Sequence, residues 1–325
     1  MLEINHPEIK FAIESVRDAA RLAQSVQKEM ISGTMTKEDR SPVTVADYAA
    51  QALIGCFLSD AYPEDALIGE EDSSSLQKPE QHEILKRITA FVNRYVPNAT
   101  SDLVRNWIDR GSADSASRYW TLDPIDGTKG FLRGDQYAVA FALVYDKQVQ
   151  IGVIGCPELK IGDHKGVIFA AARGQGSWVS PIESELHFKQ IHVSKKHDPS
   201  NIRLLRSFES GHTNVNQIDA LAKTLGITTN PVRMDSQAKY GVLATGLGEV
   251  YIRLLSPNRL DYREKIWDQA AGSIIIEEAG GRVTDLDGAT LDFMKGRTLA
   301  DNRGICATNG HLHEKVVAAL KEIDA

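Results

Sequence analysis

Segments with the apolar spacing of helices alternate along this chain with short segments that have the spacing of strands. Between residues 9 and 26, apolar side chains recur on one helical face. Residues 137–145 alternate large and small apolar residues, the period of a β-strand. The second half continues this alternation, with strands expected at 202–206 and 249–255 and helices at 217–225, 238–244 and 267–279. The pattern predicts an α/β fold of layers, with sheets covered by helices.

The length and charge of the chain limit its organisation and its partners. A chain of 325 residues exceeds what a single core usually organises, so two packed lobes are expected. The net charge of −7 gives no general attraction to nucleic acid or to an anionic membrane. An anionic ligand would therefore need cations concentrated at its own site. Nothing in the sequence requires an oligomer.

The cysteines and the N-terminal segment predict a cytoplasmic location. Cys56, Cys156 and Cys306 are isolated in sequence and form no zinc or redox motif, which favours buried, reduced thiols. The charged N-terminal residues do not resemble a signal peptide, and no apolar run is long enough to cross a bilayer.

Three acidic groups stand where a strand is expected to end or a helix to begin. They are Glu70-Glu71-Asp72, the pair Asp123 and Asp126, and Asp268. Each has a common structural explanation by itself, namely a solvated loop, a turn and the charged first turn of a helix. Together they indicate carboxylates that point into one cleft, where mutual repulsion would oppose ionisation. A hard divalent cation such as Mg²⁺, which prefers oxygen ligands, would relieve that repulsion.

The segment Asp123-Pro-Ile-Asp-Gly-Thr128 has the composition of a rigid metal and phosphate site. Pro124 fixes one backbone angle, so the turn is stiff and the Ile125 carbonyl becomes available as a further metal ligand. Gly127 and Thr128 are expected to open the next helix, where free backbone N–H groups favour a phosphate.

The order and spacing of three motifs resemble the inositol monophosphatase superfamily of magnesium-dependent, lithium-sensitive phosphatases. The motifs are GEED at 69–72, DPIDGT at 123–128 and WDQAAGSIIIEEAGG at 267–281. The resemblance covers nearly the whole chain. It implies a layered αβαβα sandwich of the inositol monophosphatase and fructose-1,6-bisphosphatase type. An N-terminal α+β lobe at 1–155 would carry most metal ligands, and a C-terminal α/β lobe at 156–325 would carry the nucleotide contacts and Asp268.

Longer stretches resemble one branch of this superfamily, the 3′(2′),5′-bisphosphate nucleotidases. These stretches are SPVTVADYAAQ at 41–51, LDPIDGTKGFLRGDQYAVA at 122–140, DSQAKYG at 235–241 and YREKIWD at 262–268. Gln269 departs from the family, which often has histidine after the metal-binding aspartate.

The resemblance implies a role for individual residues. Two or three Mg²⁺ ions would be held by Glu70, Asp123, the Ile125 carbonyl, Asp126 and Asp268. Asp47 would pair with Thr128 to orient and deprotonate the attacking water. The substrate would be bound by Gly127, Thr128, His212, Ser236, Lys239 and Arg253.

The activity implied is removal of the 3′-phosphate of adenosine 3′,5′-bisphosphate, which gives AMP and phosphate, with 3′-phosphoadenylyl sulfate as a second substrate. An inositol phosphate or polyphosphate phosphatase is the alternative within the class. A non-catalytic sensor of adenosine bisphosphate is the alternative outside it. The cations Lys239 and Arg253 argue against the first, and the intact set of acidic residues argues against the second.

Overall fold

The computed structural model describes residues 6–31, 41–183, 185–208 and 215–325. Within these ranges the α-helices are α1 (Ile9–Ile31), α2 (Ser41–Ala61), α3 (His82–Val92), α4 (Ser101–Asp109), α5 (Thr128–Arg133), α6 (Val215–Thr224), α7 (Ala238–Ala244), α8 (Ala270–Glu278) and α9 (His313–Glu322). The strands there are β1 (Ala66–Gly69), β2 (Arg118–Asp126), β3 (Ala138–Tyr145), β4 (Gln148–Ile161), β5 (His164–Ala172), β6 (Ser177–Pro181), β7 (Lys189–Ile191), β8 (Leu204–Arg206), β9 (Val232–Arg233), β10 (Val250–Arg253), β11 (Arg282–Thr284) and β12 (Ile305–Thr308). None of the described helices is both long enough and apolar enough to cross a membrane.

The first sheet contains seven strands in sequence order, from β1 to β7. Strands β1 and β2 are parallel, and every later neighbour pairs antiparallel. Strand β3 is buried along its length except at Tyr145, which explains why its sequence is apolar at almost every position. Helices cover both faces of this sheet.

Glycines on the central strand β4 let the covering helices approach closely. A Cβ atom at Gly155 would lie 2.9 Å from Val16 of α1, and one at Gly152 would lie 2.4 Å from Ile274 of α8. The two glycines therefore set the distance from the sheet to the helix on each face. Helix α2 packs beside α1 against the first sheet, and α7 packs beside α8.

The second sheet contains five strands in the order β11-β12-β10-β8-β9. Helices α7 and α8 lie between the two sheets, and apolar residues of α6 and α9 pack with those of β10 and β12. The order of layers is helix, sheet, helix, sheet, helix. The layered α/β sandwich expected from the sequence is confirmed.

The expected division after residue 155 lies inside a strand. Strand β4 continues to Ile161, and the first sheet continues through β7 to Ile191. The second sheet begins with β8 at Leu204. We therefore place the division between Ile191 and Leu204, because hydrogen bonding within the first sheet joins residues on both sides of position 155.

The last acidic motif also differs from its expected conformation. The helix expected at 267–279 begins only at Ala270, and Gln269 is its N-cap residue. Asp268 therefore lies in the turn before α8, where it borders the pocket described below.

Candidate active site

One pocket of about 300 Å³ opens where the carboxyl end of β2 meets the start of α7 and the end of β10. It is lined by Glu70, Asp123, Ile125, Asp126, Gly127, Thr128, Lys129, Gly130, Ser207, Asp235, Ser236, Gln237, Lys239, Tyr251, Arg253, Tyr262 and Asp268. Segments distant in sequence thus meet at one place, and each of the three acidic motifs contributes to it.

A bulge in β2 brings the two aspartates of the central motif to the same pocket. Asp123 pairs with Ala140, whereas Asp126 pairs with Ala138, so β2 contains one more residue than β3 over this interval. In a regular strand, side chains three positions apart point to opposite faces. The extra residue removes that opposition and turns both carboxylates toward the pocket.

The turn after Asp126 depends on a glycine. Gly127 has φ +91°, and a Cβ there would lie 2.9 Å from the Cβ of Ser236. Ser236 itself has φ +65°, which is uncommon for a residue other than glycine. Glycine adopts its positive φ without strain, so Ser236 is the strained position of this pair, and such strain is concentrated at functional sites. Helix α5 begins at Thr128, as expected from the sequence.

The acidic side chains resist ionisation together. Burial raises the pKa of Asp123 well above its usual range, and Glu70 and Asp126 raise it further. Burial also raises the pKa of Asp268 strongly, against the opposing effect of Arg253. Glu70 is exposed as a whole residue, but its carboxyl group is surrounded by protein atoms. This burial and the neighbouring carboxylates raise its pKa to about 7. This is the repulsion predicted from the sequence.

In and beside the pocket, two buried carboxylate oxygens of the described residues lack a hydrogen-bond partner, Oδ1 of Asp47 and Oδ1 of Asp123. An unpaired buried carboxylate is costly, and a cation would relieve that cost. Among the described residues, no three acidic, cysteine or histidine side chains form a ready-made metal centre. The fit to Mg²⁺ therefore rests on the oxygen-only donors and on these two orphaned oxygens.

Asp47 lies behind the pocket wall. It is buried on α2 and does not line the pocket, and burial raises its pKa well above the usual range, with Glu71 as the next cause. Thr128 is exposed and lines the pocket. The pairing of Asp47 with Thr128 stays a prediction.

Besides the exposed Lys129, two cations line the pocket together with the acidic residues, Lys239 and Arg253. Burial lowers the pKa of Lys239 to about 8, against the opposing effect of Asp126. Its Nζ lies 5.2 Å from the ring centre of Tyr251 and 3.4 Å from the Met234 carbonyl. Arg253 Nε lies 2.9 Å from Glu264 Oε2, and its Nη2 lies 4.0 Å from Asp268 Oδ2. An anion in the pocket would meet two adjacent positive side chains.

The sequence analysis overlooked several residues of this site and named one that the structure does not describe. His212 lies outside the described residues. Ser207 and Tyr251 line the pocket but belong to none of the quoted motifs, whereas Tyr262 lines the pocket and opens the quoted stretch at 262–268. Glu264 could have been found, because it belongs to the quoted stretch at 262–268 and is buried although charged.

The fold is that of known inositol phosphatases. Across 98% of this chain, it matches the extragenic suppressor protein suhB from Bartonella henselae with a TM-score of 0.65, 20% identity and 99% of that chain covered. The inositol monophosphatase from Anabaena matches over 98% of this chain and 97% of its own, with a TM-score of 0.62 and 20% identity. These identities support the fold alone.

The chain belongs to the inositol monophosphatase family, whose model matches residues 4–325. Similar proteins named 3′(2′),5′-bisphosphate nucleotidase come from Oryza sativa, 42% identical, and Schizosaccharomyces pombe, 39% identical. The alignments cover 97% of this chain in both cases, and 94% and 95% of those proteins respectively. The resemblance to this branch is confirmed.

Proposed function

We propose that this protein hydrolyses the 3′-phosphate of adenosine 3′,5′-bisphosphate to give AMP and phosphate, with 3′-phosphoadenylyl sulfate as a second substrate. One observation carries the proposal. A single pocket is lined both by carboxylates and by two largely buried cations, Lys239 and Arg253. Such a pocket suits a ligand with two phosphates, one of which is cleaved while the other is only bound. The names of the similar nucleotidases support the same substrate.

The acidic residues that line the pocket form the proposed metal site. Two or three Mg²⁺ ions would be held by Glu70, Asp123, the Ile125 carbonyl, Asp126 and Asp268. When bound, magnesium supplies charge that stabilises the phosphoryl group and makes a water molecule more acidic. The protein residues contribute position, since the bulge in β2 fixes the direction of both aspartates.

Asp47 and Thr128 are the proposed residues that handle the attacking water. Asp47 has a raised pKa and an oxygen without a partner, so it can accept a proton at low cost. The Thr128 hydroxyl lines the pocket and would orient the water by a hydrogen bond. The backbone N–H groups of Gly127 and Thr128 would face the phosphate to be removed.

The cations Lys239 and Arg253 mark the proposed site of the phosphate that is not cleaved. Lys239 and Arg253 would neutralise its charge, and Ser236 would donate a hydrogen bond. His212 is proposed as a further nucleotide contact. The three cysteines are free and buried in the structure, which supports the proposed cytoplasmic location.

Two other activities compete with this proposal. An inositol phosphate phosphatase would share the metal site, but it would have less need of a pair of cations to bind a second phosphate. A non-catalytic sensor would not require two orphaned carboxylate oxygens beside the pocket. Neither has an observation that favours it.

The experiment is release of inorganic phosphate from adenosine 3′,5′-bisphosphate, inositol monophosphate, inositol polyphosphates and fructose 1,6-bisphosphate, with and without Mg²⁺. We expect the nucleotide to have the highest kcat/KM, and turnover to depend on the metal. A higher kcat/KM for an inositol phosphate would overturn the substrate assignment. Tight nucleotide binding without phosphate release under any metal condition would identify a sensor.

A further inference from the structure

Arg253 is held from behind the pocket by a buried chain of three side chains. Its Nε lies 2.9 Å from Oε2 of Glu264, and the same oxygen accepts a hydrogen bond from Gln269 Nε2 at 2.9 Å. Gln269 Oε1 in turn accepts from the Tyr240 hydroxyl. We propose that Glu264 is a positioning residue that directs the Arg253 guanidinium into the pocket, with Gln269 and Tyr240 fixing Glu264. This inference rests on the proposed function, in which Arg253 holds the uncleaved phosphate.

The side chains of Glu264, Gln269 and Tyr240 have only one arrangement in which their hydrogen bonds to one another are all made. Tyr240, Gln269 and Glu264 are 1%, 0% and 4% exposed, so solvent has little access to their polar atoms. An ionised carboxylate only accepts hydrogen bonds, which directs the Gln269 amide nitrogen toward Glu264 and its oxygen toward Tyr240. The orientation of the carboxylate is thereby set from the side away from Arg253.

Close packing fixes Tyr240, which is the farthest of the three side chains from Arg253. A Cβ on Gly272 of α8 would lie 2.3 Å from the Tyr240 ring, so only glycine allows this approach. The rings of Tyr240 and Tyr251 meet edge to face with centres 5.3 Å apart. The Tyr240 hydroxyl therefore has a fixed position from which to orient Gln269.

Arg253 needs such a support because a second carboxylate competes for it. Asp268, one of the proposed magnesium ligands, lies 4.0 Å from Arg253 Nη2. Glu264 occupies the Nε side of the guanidinium, while 25% of the Arg253 side chain remains exposed to the pocket. Without Glu264, attraction to Asp268 would draw the guanidinium away from a phosphate and toward the metal site.

The direct test is the dissociation constant of 5′-AMP, measured by calorimetry with Mg²⁺ present for the wild type and for Glu264→Gln. Glutamine keeps the shape but removes the charge that pairs with Arg253. We expect binding to weaken by roughly 10-fold or more, by analogy with the loss seen when a residue that orients a metal ligand is removed. The kcat/KM for adenosine 3′,5′-bisphosphate should fall through KM, whereas that for 3′-AMP, which lacks the 5′-phosphate, should change little. Gln269→Leu should shift AMP binding in the same direction by less.

The matched control is Glu249→Gln. Glu249 is also a fully buried glutamate paired with an arginine, with Oε1 2.6 Å from Arg203 Nη2, and it directly precedes β10. It does not line the pocket, so its loss should lower stability without changing AMP affinity. This control separates positioning from a general loss of stability.

Arg253→Ala distinguishes failure of this inference from failure of the proposed function. If Arg253→Ala weakens AMP binding while Glu264→Gln binds as tightly as the wild type, the positioning role is wrong. If Arg253→Ala itself leaves AMP binding unchanged, the role of Arg253 in the proposed function is wrong, and this inference falls with it. If Glu264→Gln does not fold, Gln269→Leu and Tyr240→Phe decide, and wild-type AMP affinity in both would overturn the proposal.

Discussion

Asp126 and Gln237 join the two halves of the pocket through a hydrogen bond. The backbone N–H of Gln237 donates to Oδ2 of Asp126 at 2.6 Å, across 111 residues of sequence. Asp126 ends the bulged strand of the first sheet, and Gln237 caps α7, which lies between the sheets. The proposed metal site and the proposed nucleotide site are therefore aligned by one short contact.

Asp126→Asn separates the charge of this residue from its structural contact. The asparagine side-chain oxygen can still accept from Gln237, so the variant should fold with nearly the wild-type midpoint of thermal unfolding. Loss of one anionic ligand should lower kcat by roughly 100-fold or more. Steady-state phosphate release together with a melting curve tests this. A folded variant with near-normal turnover would refute the assignment of Asp126 as a metal ligand.

Asp123→Asn should stabilise the protein when metal is removed. Burial and the neighbouring carboxylates raise the pKa of Asp123, so keeping this group among them costs stability at pH 7. The variant should gain on the order of 2 kcal/mol in the free energy of unfolding in a chelating buffer. Added Mg²⁺ should raise the unfolding midpoint of the wild type more than that of the variant. Equal midpoints in both buffers would show that Asp123 does not bear the repulsion described.

Gly127→Ala should damage the turn by two separate effects. The left-handed φ is unfavourable for alanine, and its Cβ would lie 2.9 Å from that of Ser236. We expect a loss of about 1–3 kcal/mol in the free energy of unfolding, and a lower kcat because the wall of the pocket must shift. The control is Gly162→Ala, also at positive φ but with open space around its Cβ. Equal losses in the two variants would mean that contact with Ser236 is unimportant.

His313 should make the protein sensitive to acid, away from the pocket. Burial lowers its pKa from 6.5 to about 4, and its Nδ1 and Nε2 lie 3.1 Å and 3.0 Å from the hydroxyls of Thr308 and Thr284. Thr284 donates its own proton to the Asp285 carbonyl, so Nε2 carries the imidazole proton and Nδ1 accepts from Thr308. A second proton on the ring would break that last bond.

The direction of the change in stability with pH follows from the pKa of His313 in the unfolded and in the folded state. Above pH 6.5 the imidazole is neutral in both states, and as the pH falls toward 4 the unfolded state takes up a proton that the folded state does not. Relative to His313→Gln, which cannot titrate, the wild type should lose on the order of 2 kcal/mol between pH 7 and pH 4. Urea unfolding of both proteins at several pH values measures this difference. A difference that stays constant with pH would contradict the neutral, buried assignment.

The sequence predicted the layers and the acidic side of the site because these depend on local patterns. Apolar periodicity revealed most central helices and strands, and carboxylates beside Pro124 and Gly127 marked the turn that carries Asp123 and Asp126. The division expected at 155 falls inside strand β4, since a sheet that continues through antiparallel hairpins has no change of pattern at that position.

The supporting residues could not be predicted, because their role depends on tertiary contacts. Nothing in the sequence near Gln269 indicates that it lies between Tyr240 and Glu264. The bulge that turns Asp123 and Asp126 to one side becomes visible only in the pairing of β2 with β3.

The most direct test of the central claim compares two substrates in the wild type and in Arg253→Ala. The ratio to measure is kcat/KM for adenosine 3′,5′-bisphosphate over kcat/KM for 3′-AMP. A charge-assisted contact to phosphate is typically worth roughly 1.5–3 kcal/mol, so the variant should lose about 10- to 100-fold on the bisphosphate and little on 3′-AMP. The ratio should therefore collapse by that factor. Equal losses on both substrates would contradict the account, because Arg253 would then act at the cleaved phosphate or only in folding.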